Sequence, residues 1–109
     1  MNLLIAGSRG IKEFDLEPYI PENTDLIICG GADGIDRLAE ELADKKRISK
    51  LIVYPNYKRY GRYAPLKRNE QMIALAEEIL VIWDGKSRGS AYTIKVAKES
   101  NKKLTVVEV

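Results

Sequence analysis

Residues 26–46, Leu26-Ile-Ile-Cys-Gly-Gly-Ala-Asp-Gly-Ile-Asp-Arg-Leu-Ala-Glu-Glu-Leu-Ala-Asp-Lys-Lys46, decide the fold class. Four apolar residues, Leu26–Cys29, form a short unbroken run of the kind that makes a strand covered on both faces. A glycine-rich turn, Gly30–Gly34, follows at once. The next stretch, Gly34–Lys46, places Ile35, Leu38, Ala39, Leu42 and Ala43 at i, i+3, i+4, i+7 and i+8, the spacing of an amphipathic helix. Strand, tight turn and helix in immediate succession are half of a parallel βαβ unit.

The rest of the chain repeats this pattern. Asn2–Ala6, Leu51–Tyr54, Ile79–Trp83 and Leu104–Val109 are further apolar or β-branched runs, all expected to be buried on both faces. Pro65–Glu77 opens on a proline, which suits a first helical position. Gly89–Asn101 carries Ala91, Ile94 and Ala97 on one stripe. The first crossover, Gly10–Asp25, contains Pro18 and so allows only a turn or two of helix. Alternation of this kind predicts a doubly wound α/β sheet of five parallel strands with helices on both faces. The expected strand order is 3-2-1-4-5, the five-strand version of the dinucleotide-binding arrangement. No linker or repeat interrupts it, so residues 1–109 read as a single domain.

Composition narrows the function. Apolar residues make up 45% and charged residues 31%, as in ordinary globular domains and unlike disordered or collagenous chains. No apolar run approaches the ~20 residues of a membrane span, and Met1 leads into a strand without a basic signal region. The chain is therefore expected to be cytoplasmic, with no membrane partner. The net charge of +2 is too mild to announce a nucleic-acid binder. A single cysteine, Cys29, excludes an internal disulfide. The absence of histidine removes histidine triads and nearly all catalytic zinc sites, so no metal is expected.

In sheets of this type ligands bind beyond the carboxyl ends of the strands, near the reversal of strand order. Gly7-Ser8-Arg9-Gly10 follows the first strand, bringing a hydroxyl and a guanidinium that can grip phosphate in bidentate fashion. Gly30, Gly31 and Ala32 follow the second and lead into a helix N-terminus, a natural anion site. This is neither a G-x-G-x-x-G fingerprint nor a Walker A loop. Asp36 suits a ribose hydroxyl, or a capping interaction with Asp33. Residues 54–69 hold four of the six tyrosines and five basic residues with no acid. Such a segment can stack bases and neutralise phosphate, or be a solvated basic loop. Arg68 and Asn69 at the following helix start would point back toward the strand ends. Asp84-Gly85-Lys86-Ser87-Arg88-Gly89-Ser90 is a second small-residue turn into a helix, with Ser87 and Ser90 as hydroxyl donors or caps. The simplest ligand for two such turns has two separated polar ends, as a phosphorylated nucleoside does.

Taken in register, Gly7-Ser8-Arg9, Cys29–Asp36, Tyr60–Asn69 and Trp83–Ile94 resemble the SLOG superfamily, the Rossmann-like group of DprA/Smf and LOG proteins. The similarity is greatest to its short YspA-like branch and spans essentially the whole chain. The resemblance implies a nucleotide or nucleotide-derived ligand at the strand ends, in a sensor, a sequestering module of signalling or phage–host conflict, or a nucleotide-processing enzyme. In a domain this small the helix over 65–77 is expected to leave an apolar strip around Leu66 and Ile73 that the sheet does not fully cover, and the resemblance points the same way, to a homo-oligomer; no cofactor is expected. By position it assigns ligand contacts to Ser8, Arg9, Gly30, Gly31, Ala32, Asp36, Arg68, Asn69, Asp84, Gly85, Ser87, Gly89 and Ser90. LOG enzymes carry P-G-G-x-G-T-x-x-E, whose glutamate assists glycosidic cleavage. Here Gly89-Ser90 aligns with G-T, the leading P-G-G is missing, and Thr93 stands in the glutamate position. Binding without catalysis is thereby favoured, and Asp36 and Asp84 are left as candidate catalytic groups.

Overall fold

The computed structural model describes residues 1–109. Five strands form one all-parallel sheet: β1 (Asn2–Gly7), β2 (Leu26–Cys29), β3 (Ser49–Ile52), β4 (Glu78–Trp83) and β5 (Lys103–Glu108). Their order is β3-β2-β1-β4-β5, as the alternation predicts. Four helices connect them: α1 (Ile35–Lys46), the single-turn α2 (Tyr57–Tyr60), α3 (Ala64–Leu75) and α4 (Arg88–Glu99).

The pleat splits the core in two. Leu3, Ile5, Ile27, Cys29, Leu80 and Ile82 face one way and pack on Ile35, Ala39, Leu42 and Ala43 of α1, with Leu16 of the first crossover. Leu4, Ala6, Ile28, Ile79 and Val81 face the other way, under Met72, Ile73 and Ala76 at α3 and Ala97 of α4. Helices thus cover both faces. No helix is long and apolar enough to cross a membrane.

Several expectations need correction. Only β1, β2 and β4 are buried on both faces. The edge strands β3 and β5 are largely exposed, because the helices sit over the three inner strands. β3 lies two residues earlier than Leu51–Tyr54, its register fixed by Leu26 opposite Ser49. The first crossover holds a single 3₁₀ turn, Glu17–Tyr19, where Pro18 stands at its start. The basic tyrosine segment is not a plain loop: Asn56 accepts from the Arg59 amide at 3.2 Å and caps α2, and a 3₁₀ turn, Gly61–Tyr63, runs into α3. Ala91 is exposed; Ile94 and Ala97 pack on the core as expected, and Ser90 and Thr93 are buried beside them on α4. Ile73 is a core residue and Leu66 lines the cavity described below, so neither forms an outward apolar strip.

Candidate functional site

The reversal of strand order falls between β1 and β4. The chain leaves β1 toward the α1 face and leaves β4 toward the α4 face, so the two loops part. Small residues at the parting, Ala6, Gly7, Gly89 and Ser90, leave a cavity of about 360 Å³. Its walls are the β1 loop, Ala32 from the turn before α1, Asp36 from the first turn of α1, Pro65 to Met72 of α3, Asp84 and Ser87 of the β4 loop, and the start of α4. Tyr92 donates to the Glu70 carboxylate at 2.6 Å and ties α4 to α3. No three Cys, Asp or Glu side chains cluster in a way that could hold a metal ion.

Ten of the thirteen positions assigned from sequence line this cavity: Ser8, Arg9, Ala32, Asp36, Arg68, Asn69, Asp84, Ser87, Gly89 and Ser90. Gly30 and Gly31 line a neighbouring, smaller cavity. Gly85 lines neither; with φ 79° it makes the turn after β4, near the Glu108 carboxylate. The sequence reading missed Pro65, Leu66 and Met72, whose apolar character looked like plain helix packing.

Several of these residues are engaged with the protein itself. The Ser8 hydroxyl lies 2.9 Å from that of Ser87 and accepts from the Asp84 amide at 3.0 Å, fastening the β1 loop to the β4 loop. Asp84 accepts from the Lys86 and Ser87 amides, both at 2.8 Å, and these bonds hold its carboxyl below the ordinary carboxylate range. A carboxylate committed in this way is a turn former and a poor base. Thr93 donates to the Gly89 carbonyl of its own helix at 3.0 Å.

Arg68 is the central cation. Its Nε donates to Asn69 Oδ1 at 2.9 Å and its Nη1 to the Gly30 carbonyl at 2.6 Å, so it bridges α3 to the end of β2. Burial lowers its pKa, with the Asp36 charge opposing. The place of Gly30 follows from this: a Cβ there would lie 2.6 Å from Arg68 Nη1 and 2.9 Å from Asp36 Oδ2. Gly30 is thus a seat for the guanidinium. Asp36 accepts from the Ala32 amide at 3.1 Å, not from a cap with Asp33, because the turn folds Ala32 back over the start of the helix. Burial raises the Asp36 pKa, while the Ala32 amide and the Arg68 charge hold it down.

The polar groups left without a protein partner belong to residues that line the cavity. Ser90 and Arg68 are 6% exposed and Asn69 is 9% exposed. Yet the Ser90 hydroxyl, the Asn69 amide NH₂ and one Arg68 amino group have no protein partner, and none is sealed off from the cavity. The α4 N-terminus adds unpaired backbone amides at Arg88, Gly89 and Ser90, since its first helical bond comes from Ala91 to the Ser87 carbonyl at 3.2 Å. Arg9 is exposed at the mouth.

Fold and site together define a doubly wound α/β protein with a polar, donor-rich cavity at the topological switch point. Compared with protein-family models, curated proteins and solved structures, the chain matches none.

Proposed function

We propose that this protein binds a nucleotide or nucleotide-derived small molecule in the cavity between β1 and β4, as a sensor or a sequestering module. One observation carries the reading. Three side chains at least nine-tenths buried keep hydrogen-bond donors that nothing in the protein satisfies, and all three line one cavity. These groups stay accessible from the cavity, where solvent or a bound molecule can satisfy them. Donors from α3 and α4 converging on one cavity suit a small ligand rich in hydrogen-bond acceptors. The amides at the start of α4 favour an anion, Asp36 can accept from sugar hydroxyls, and about 360 Å³ lies within the range of small-molecule sites. The resemblance to the SLOG superfamily supports the same ligand class.

A second reading, hydrolysis at a ribosyl or phosphoryl bond, is favoured by one observation: Asp36 is a buried carboxyl with a raised pKa on the cavity wall, the profile of a general acid or base. Against it, Thr93 offers only a hydroxyl already bound to Gly89, and Asp84 is consumed by its turn.

The test is calorimetric titration with a panel of nucleoside monophosphates, with free base and phosphate followed by chromatography. We expect binding without release. Ser90→Ala should weaken binding about tenfold while leaving the unfolding free energy within about 1 kcal/mol, because the hydroxyl has no protein partner to lose. No binding to any member of the panel refutes the proposal. Turnover abolished by Asp36→Asn establishes the enzymatic reading instead.

A further inference from the structure

The smaller cavity, about 250 Å³, opens beyond the ends of β2 and β3. It shares Arg9, Ala32 and Arg68 with the main one, so the two cavities adjoin and both arginines line each of them. Tyr54 forms its outer wall. The ring lies against the backbone of Gly31, where φ is 73° and a Cβ would come within 2.7 Å of Tyr54 Cε1. Glycine at 31 therefore lets the ring lie flat over the turn. Tyr54 nonetheless stays 67% exposed, and its hydroxyl has no hydrogen bond. A ring seated in this way adds little to the core and leaves its π-surface in water. Arg9 forms no ion pair, and Asp33 stands on the rim of the same cavity.

We propose that the two cavities form one site for a dinucleotide-type ligand. One nucleoside occupies the main cavity, a bridging diphosphate lies between Arg9 and Arg68, and the second base stacks on Tyr54. This rests on reading the main cavity as a nucleotide site. The chemistry of each part is matched. A diphosphate brings negative oxygens to the Arg9 guanidinium, which has no protein partner, and to the one Arg68 amino group left free by its bonds to Gly30 and Asn69. A base covers the exposed ring without needing a particular hydrogen-bond pattern. Asp33 is placed to accept from the second sugar. A mononucleotide held in the main cavity leaves Tyr54 in solvent, so the second arm is what gives that ring a task.

The experiment is titration calorimetry of the wild type, Tyr54→Ala and Tyr54→Phe. The probes are the four ribonucleoside monophosphates, the corresponding symmetrical dinucleoside diphosphates, and a tetranucleotide RNA. We expect the best dinucleoside diphosphate to bind at least about tenfold more tightly than its own mononucleotide, in line with one added stacking contact. Tyr54→Ala should erase that difference while leaving the mononucleotide affinity unchanged, and Tyr54→Phe should retain it. Equal binding of the two classes by wild type, unmoved by Tyr54→Ala, overturns the two-arm site while the nucleotide reading stands. Failure of both classes to bind overturns both. Tighter binding of the RNA, with steep salt dependence, overturns the proposal in favour of a single-strand binder.

Discussion

Replacing Arg68 by methionine tests whether the guanidinium clamps the strand ends as well as facing the ligand. Methionine approximates the stem of the side chain and supplies no donor. The substitution removes the bonds to the Gly30 carbonyl at 2.6 Å and to Asn69 Oδ1 at 2.9 Å; the third contact, to the Val53 carbonyl at 3.4 Å, is long enough to neglect. Each hydrogen bond from a charged donor is worth about 1.5–3 kcal/mol, so the gross loss is about 3–6 kcal/mol. Water entering from the cavity restores part of it to the Gly30 carbonyl, and the expected net loss is about 3 kcal/mol. For a domain of this size that lowers the unfolding midpoint by roughly 10–20 °C. Asp36 supplies a second signature. Its folded pKa is raised, mainly by burial, so the folded state binds the proton more tightly than the unfolded chain. The Asp36 contribution to stability is then greatest below the ordinary carboxylate range, falls as pH rises between the ordinary and the raised value, and is level above that. The Arg68 charge holds that pKa down, so Arg68→Met should extend the falling window upward in pH. Adding Asp36→Asn should flatten the slope. Urea denaturation followed by circular dichroism across the acid and neutral range measures both effects. An Arg68→Met protein within about 1 kcal/mol of wild type, with an unchanged pH slope, would refute the clamp.

Three further outcomes follow from the backbone geometry and the burial of single residues. Gly34→Ala should cost more than about 2 kcal/mol, since φ is 75° and a Cβ would lie 2.5 Å from the Ser8 and Arg9 carbonyl oxygens. Gly10→Ala, with open space around it, should stay within about 0.5 kcal/mol in the same denaturation assay. Cys29 is fully buried and its thiol is pushed up to about 12, chiefly by burial. A thiol reagent at mildly alkaline pH should therefore label it only at the rate of global unfolding. Rapid labelling of the native protein would contradict its burial.

Much of the architecture was legible because it rests on local pattern. Leu26–Cys29 is an apolar run too short for a helix, and Ile35 to Ala43 repeats at helical spacing, so strand and helix announce themselves without tertiary information. Burial of the edges was not legible. Leu51 and Val106 belong to runs like those of the inner strands, yet lie 39% and 40% exposed, because only strand order decides which strands the helices cover. The inward face of α4 was legible in part: Ile94 and Ala97 pack on the core as their spacing predicts, whereas Ala91 is exposed. Ser90 and Thr93 turn toward a cavity, and a hydrophobic pattern takes polar residues as outward-facing; the stripe of small residues Ser90, Thr93 and Ala97 at i, i+3 and i+7 was the available signal.

The sequence by itself determined the fold class, the positions of the loops at the strand ends, and thus most of the residues that meet there. Those follow from periodicity and turn chemistry, which are short-range properties of the chain. Only the tertiary structure decided what each polar group does once it arrives. Ser8, Ser87 and Asp84 bond to one another across the β1 and β4 loops, and Arg68 spends two donors on Gly30 and Asn69. Ser90 and the Asn69 amide keep theirs free toward the cavity. Hydrogen bonding is a matter of a few tenths of an ångström between groups distant in sequence, and no residue type or spacing carries that information.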